Sequence, residues 1–186
     1  MQTFLNLNSF DTEILYSLEN DTAIQSLEKK VKYLIIYGPN KSGKTTIAKK
    51  FSINNNIDLT NSVPDELNFN KETYLDLNTL PGQDENFFHF LQYFVTNNIP
   101  LTIFTSENSI DKLNDEVYLP DVVSRLKQFT LCNIDNPSKD LLFKLIIKYL
   151  SFKSITVREE IIIEVMNYIE RTYLSAFEAA NTINHL

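Results

Sequence analysis

Tyr33-Leu34-Ile35-Ile36-Tyr37-Gly38-Pro39-Asn40-Lys41-Ser42-Gly43-Lys44-Thr45-Thr46-Ile47-Ala48-Lys49-Lys50 carries more information about the fold than any other stretch of the chain. Residues 31–37 are an apolar run of strand length, and their composition predicts a strand buried on both faces. The run stops at Gly38, and a helical pattern begins near Gly43 and is predicted to continue to about Phe51. Between them, Gly38, Gly43, Lys44 and Thr45 satisfy G-x-x-x-x-G-K-[ST], the spacing of a phosphate-binding loop between a strand and a helix. Backbone N–H groups of such a loop, together with those at the helix N-terminus, surround a polyphosphate. The Lys44 ammonium supplies charge to the β- and γ-phosphates, and the Thr45 hydroxyl can ligate Mg²⁺. Two of the three glycines fall here, where a backbone without Cβ can approach a ligand closely. Gly38, Pro39, Asn40, Lys41, Ser42, Gly43, Lys44, Thr45 and Thr46 are therefore the candidate nucleotide-binding residues. Lys49 and Lys50 are expected only to solvate the helix.

On either side of this motif, strands alternate with helices. An amphipathic helix is predicted over 20–30, with Asn20-Asp21 as its cap, and Ile57-Asp58-Leu59 and Tyr74-Leu75-Asp76-Leu77 as strands. From Asp84 to Asn97, Phe87, Phe88, Phe90, Leu91 and Phe94 recur at helical spacing. Without interleaved basic residues they read as core rather than as a base-stacking platform, and His89 among them as a core or boundary residue. Pro100–Thr105 reads as a buried strand, a helix starts near Leu119-Pro120-Asp121, and Leu131–Ile134 reads as the last strand. The alternation implies a parallel α/β sheet of five strands flanked by helices. Beyond Asn136 the pattern becomes wholly helical, with segments near 138–152, 156–171 and 174–186 and Pro137 at a first helical position. The expected organisation is a leader over 1–10, an α/β nucleotide-binding domain over 11–136 and a helical subdomain over 137–186. A P-loop α/β core followed by a small three-helix lid is the layout of an AAA+ module.

Composition narrows the function further. The 186 residues carry a formal charge of −7, so no global field draws the protein to nucleic acid or to an anionic membrane. Cys132 is the single cysteine, and His89 and His185 are far apart in sequence, so neither a disulfide framework nor metal-ligand spacing is present. No apolar run has the length of a membrane span, and the N-terminus lacks the basic-then-apolar layout of a signal peptide. The expected setting is the cytoplasm.

Leu119-Pro120-Asp121-Val122-Val123-Ser124-Arg125-Leu126, Asn136-Pro137-Ser138-Lys139-Asp140-Leu141-Leu142 and Tyr168-Ile169-Glu170-Arg171-Thr172 together resemble the DnaA family of AAA+ proteins, in particular its short Hda-like regulatory inactivators. The resemblance covers nearly the whole chain, which stops where DnaA would continue into a helix-turn-helix DNA-binding domain. It implies ADP or ATP with Mg²⁺ as cofactors and DnaA as a partner. DNA is then engaged only indirectly, and homo-oligomerisation is left open. Gln2-Thr3-Phe4-Leu5-Asn6-Leu7 is similar to the Gln-x-x-Leu-x-Leu peptide that docks on the sliding clamp, the β subunit of DNA polymerase III. Gln2, Leu5 and Leu7 are thus its candidate clamp-binding residues, against the plainer alternative of an edge strand or unstructured terminus. The resemblance also gives Arg125 the role of an arginine finger acting in trans on the nucleotide of a neighbouring subunit. The plainer alternative is a surface pair with Asp121 one turn back.

The same resemblance exposes departures. An AAA+ ATPase holds Mg²⁺ with a strand-end acid and sets a second acid beside it to position water. Here Asp76 is followed by Leu77, so Thr45 and Asp76 are the candidate metal ligands, with Asn78 as the alternative if the register slips by two. A turn role for Asp76 is the plainer reading. Glu107 falls where the family places a polar sensor. Ser175 stands where DnaA carries a lid arginine, leaving Arg171 to a capping or pairing role. The implied function is regulation: nucleotide- and clamp-bound, the protein stimulates hydrolysis of DnaA-bound ATP. The alternative is a self-contained AAA+ ATPase acting as a DnaA-like or helicase-loader assembly factor.

Overall fold

The computed structural model describes residues 13–106, 110, 113 and 118–183. Helix α1 (Leu18–Glu28) leads into strand β1 (Tyr33–Gly38), followed by α2 (Lys44–Asn55), β2 (Asp58–Thr60) and β3 (Thr73–Asp76). Next come α3 (Glu85–Thr96), β4 (Leu101–Ser106), α4 (Pro120–Leu126) and β5 (Thr130–Asn133). Three helices complete the described chain: α5 (Lys139–Phe152), α6 (Glu159–Met166) and α7 (Tyr173–Ile183). All strand pairings are parallel, as the alternation of strands and helices predicts, and the strands lie in the order β2-β3-β4-β1-β5.

Period-two alternation divides the strand residues between two apolar layers. Leu34 and Ile36 of β1 and Tyr74 of β3 join a layer shared with α1, α2 and the three C-terminal helices, including Leu141, Leu145, Ile146, Ile162, Tyr173 and Ala176. Ile35 and Leu75 face the other way, onto α3 and α4. There Phe87, Phe90, Leu91 and Phe94 are fully buried, with Phe90 and Phe94 ring centroids 4.8 Å apart, so the aromatic stripe is core. His89 departs from its expected core or boundary position. It lies on the exposed side of α3, because the helical period that buries its neighbours turns it outward.

Local chemistry also shifts two helix starts from where the sequence alone places them. Helix α1 begins at Leu18 rather than at Asn20, because Asn20 sits inside the first turn and reaches back. Its Oδ1 accepts from the Ser17 N–H at 3.1 Å and its Nδ2 donates to the Leu15 carbonyl at 2.8 Å. Helix α5 begins after Ser138, whose hydroxyl accepts the Leu141 N–H at 3.3 Å, so Pro137 stands outside the helix rather than at its first position. Helix α2 continues one turn past Phe51 and closes at Asn56 in the left-handed region, a conformation asparagine tolerates. No helix among the described residues is long and apolar enough to cross a membrane.

Candidate nucleotide site

The registers Gly38↔Ser106 and Asp76↔Phe104 bring the C-terminal ends of β1, β3 and β4 to one edge of the sheet. In open parallel sheets this edge is where ligands bind. A cavity of about 520 Å³ opens there, between the phosphate loop and the C-terminal helices. Its volume falls within the range of nucleotide- and cofactor-sized sites, roughly 300–1,000 Å³.

One end of the cavity is built from contiguous sequence. Asn40, Lys41, Ser42, Gly43, Lys44, Thr45 and Thr46 all line it, as the motif predicts. Gly43 has φ +88°, a left-handed turn that lets α2 start with its N–H groups toward the cavity. Gly38 and Pro39 do not line it. They act from behind, their carbonyls accepting hydrogen bonds from the Lys44 ammonium at 2.8 Å each, with Ser42 Oγ at 3.2 Å. The reason for glycine at 38 also differs from the sequence expectation. A Cβ there would stand 2.7 Å from the Ile134 carbonyl oxygen, so the close approach is to the chain leaving β5 rather than to a ligand.

Asp76, half-buried at the end of β3, and Asn78, exposed just beyond it, both line the cavity. Alternation places them on one face and Leu77 on the opposite one, where Leu77 packs with the α3–α4 layer. The position beside Asp76 thus carries an apolar side chain directed into the core. Thr45 and Asp76 present oxygen donors to the cavity, which suits a hard cation such as Mg²⁺. That ion takes one or two protein ligands and completes its shell with water and phosphate oxygens. Among the described residues no group of three or more His, Cys, Asp or Glu could hold a metal alone, so the donor set fits a phosphate-borne Mg²⁺.

The other end is assembled from distant segments that the sequence reading did not assign to the site. Glu13, Ile14, Leu15 and Asn20 enter from the N-terminal side, Leu141, Leu145, Lys148, Tyr149 and Phe152 from α5, and Tyr173 and Phe177 from α7. The signal was present but quiet. Positions 141, 145, 148, 149 and 152 repeat along one helix face, as do 173 and 177. Read locally, such a face is indistinguishable from ordinary core. Tyr149 and Phe177 meet edge to face with centroids 5.5 Å apart, and the Tyr173 hydroxyl donates to the Asp135 carbonyl at 2.9 Å. The half-buried Lys148 ammonium donates to the Glu13 carbonyl. Burial lowers its pKa, the Glu13 carboxylate opposes that shift, and the nearby Lys50 adds to it.

The junction between the sheet and the C-terminal helices is held by Glu19. Its carboxylate accepts the Ser138 N–H at 2.8 Å, and its backbone carbonyl accepts the Asp135 N–H at 3.1 Å. Burial alone would raise the Glu19 pKa. Hydrogen bonds, chiefly from Ser138 and then from the backbone of Glu19 itself, outweigh it and hold the carboxyl at about 2, below its ordinary 4.5.

The remaining sequence candidates fall away from the cavity. Arg125 is half-buried on α4, does not line the cavity of its own chain, and forms no ion pair with Asp121. Ser175 is engaged with Thr172, hydroxyl to hydroxyl at 2.8 Å, and its N–H donates to Thr172 Oγ1 at 3.0 Å. Thr172 therefore caps α7, and Arg171 is exposed beside it rather than serving as the cap. Gln2, Leu5, Leu7 and Glu107 lie outside the described residues.

A phosphate-loop motif after an inner strand of a five-stranded parallel sheet, a strand-end acid beside it and a C-terminal group of three helices, two of which line the cavity, define an AAA+ P-loop fold. No family model and no curated protein matches the sequence. Solved structures match its fold. DnaA from Aquifex aeolicus bound to AMPPCP superposes with a TM-score of 0.67 at 15% identity, covering 99% of this chain and 67% of that one. The Thermotoga maritima RuvB Holliday junction branch migration motor gives 0.65 at 15% identity, covering 95% and 66%. Domain III of the Thermotoga maritima replication initiation protein DnaA gives 0.58 at 14%, covering 84% and 78%. The chain thus spans about two thirds of the length of the first two. At these identities the likeness establishes the fold.

Proposed function

We propose that the protein is a nucleotide-bound AAA+ regulator of replication initiation, which binds ADP or ATP with Mg²⁺ in the cavity and stimulates hydrolysis of ATP on DnaA. In this reading Lys44 and the loop N–H groups hold the phosphates, and Thr45 and Asp76 hold the metal. Gln2, Leu5 and Leu7 tether the protein to the DNA-loaded sliding clamp, and Arg125 enters the active site of DnaA as a trans finger. The observation that carries the reading is the placement of Leu77. A hydrolase needs a group to orient water beside its metal-binding acid, and here that position is an apolar side chain turned into the core. Retained binding elements combined with a missing water-positioning acid favour a protein that senses nucleotide and acts on another's. Arg125, outside its own cavity and not paired with Asp121, is consistent with a partner-directed role.

The test is DnaA-ATP hydrolysis measured with this protein, clamp and DNA, each omitted in turn. Stimulation should require all three. Arg125→Ala should reduce it by roughly 10³-fold, and Arg125→Lys should restore little, because an ammonium lacks the planar fork of a guanidinium. Stimulation that survives Arg125→Ala would remove the finger from the account.

The second reading, a self-contained ATPase, draws on the comparable likeness to RuvB, a branch migration motor. Intrinsic turnover near 1 s⁻¹, within the ordinary enzyme range of roughly 1–10³ s⁻¹, would favour it over regulation.

A further inference from the structure

Among the described residues, five other than glycine adopt positive φ: Lys30, Lys41, Asn56, Asn98 and Ser154. Four of them close helices. Lys30, Asn98 and Ser154 each follow a helix C-cap, and Asn56 is itself the C-cap of α2. Left-handed backbone at those places satisfies terminal carbonyls. Lys41, with φ +65°, has no helix to close, since it sits in the middle of the phosphate loop. Glycine adopts that conformation freely, whereas a side chain there is strained. Away from helix ends, strain of this kind clusters at active sites and ligand clamps.

The side chain shows what that is. The Lys41 ammonium lies 4.4 Å from the ring centroid of Phe177 on α7, so a cation rooted in the loop rests on an aromatic ring of the lid. Phe177 is in turn braced edge to face by Tyr149 of α5, and all three residues line the cavity. A second observation gives this contact its meaning. Ser175, two residues earlier on α7, is tied to Thr172 and does not line the cavity, whereas Phe177 does. The lid therefore offers Phe177 to the loop, and the loop offers the cation.

We infer that Lys41 is a nucleotide-binding and lid-positioning residue, whose ammonium is shared between the polyphosphate in the loop and the face of Phe177. The inference rests on the nucleotide-site reading and deepens it. Anionic oxygens bound to the loop N–H groups hold the ammonium at the loop, and the ammonium holds the Phe177 ring over the cavity by cation–π attraction. Phosphate occupancy and lid closure are then coupled through one side chain. A nucleoside without phosphates offers Lys41 no counter-charge and so does not strengthen its hold on Phe177.

Replacement by glycine separates this role from a structural one, because the two predict opposite signs. Lys41→Gly relieves the backbone strain, so thermal unfolding without nucleotide should be unchanged or shifted upward. The dissociation constant for ADP should nonetheless rise about tenfold, as expected for loss of a partly desolvated cation–π contact together with a phosphate-facing charge. Amide exchange in α7, slowed by ADP in the wild type, should lose that slowing. Lys41→Arg should retain most of the effect. Phe177→Leu should reproduce the loss in lid protection, and combining it with Lys41→Gly should add little. Wild-type protein that binds no ADP, or binds it as well with Lys44→Ala, would overturn the site reading and this inference with it. ADP binding that depends on Lys44 but is indifferent to Lys41→Gly, with unchanged α7 exchange, would overturn this inference alone.

Discussion

The two ends of the cavity are made in different ways. The phosphate end is nearly one piece of chain, residues 38–46, whose groups fall into place because a strand, a tight turn and a helix N-terminus follow one another. The far end is a convergence of Ile14 and Leu15 with Leu145 and Tyr149 of α5 and Tyr173 and Phe177 of α7, the first pair more than a hundred residues before the rest in sequence. The first end presents a phosphate-loop backbone, whose geometry tolerates little variation. The second end presents apolar and aromatic surface, where many side chains of similar shape would fit. The contrast explains how a phosphate loop can be fully legible in a chain that no family model matches.

Four expected outcomes test the contrast, from the largest effect down. Lys44→Ala should weaken ADP, ATP and inorganic tripolyphosphate alike by roughly 100-fold or more, because it removes a charge-assisted bond common to all three. Calorimetry with the three ligands would show a phosphate end that does not depend on the base. Tyr149→Ala should weaken ADP by about 10-fold or more, in keeping with ~1–3 kcal/mol for a base–aromatic contact, while leaving tripolyphosphate nearly unaffected. Equal losses for both ligands would erase the distinction between the ends.

Gly38→Ala should act on the fold. The added methyl meets the Ile134 carbonyl at 2.7 Å, and the shift it forces should cost about 1–3 kcal/mol in denaturant unfolding. A variant as stable as wild type would show that this crossing is looser than its geometry indicates.

The smallest effect concerns the joint between the ends. Glu19 titrates near 2 in the folded protein, below its ordinary 4.5. Its contribution is therefore complete above about pH 4.5 and lost as the pH falls toward 2. Glu19→Gln should lower stability by roughly 1 kcal/mol at neutral pH, discounted for its partial exposure, and the difference should vanish near pH 2. A pH-independent difference would point to packing rather than to the carboxylate.

Much of the fold was legible before the structure. The parallel five-stranded sheet follows from a P-loop and alternating elements, though not its strand order, and the Phe87–Phe94 stripe was correctly read as core, because helical period and burial act over short distances. Errors gathered where a single side chain decides. Asn20 reaches back to Ser17 and moves the start of α1, and the Ser138 hydroxyl moves that of α5. His89 shares a segment with buried phenylalanines and still faces out, since one residue along a helix is a turn of 100°.

Sequence by itself determined the phosphate loop, the acid at the end of β3, and the absence of a second acid beside it, because each is a property of consecutive residues whose backbone geometry is set locally. Tertiary structure decided three other things. Gly38 answers to Ile134, the far end of the cavity is lined by α5 and α7, and Lys41 rests on Phe177. Each of these depends on where distant segments pack, and packing is governed by non-directional apolar burial, which leaves no fixed spacing in the chain to read.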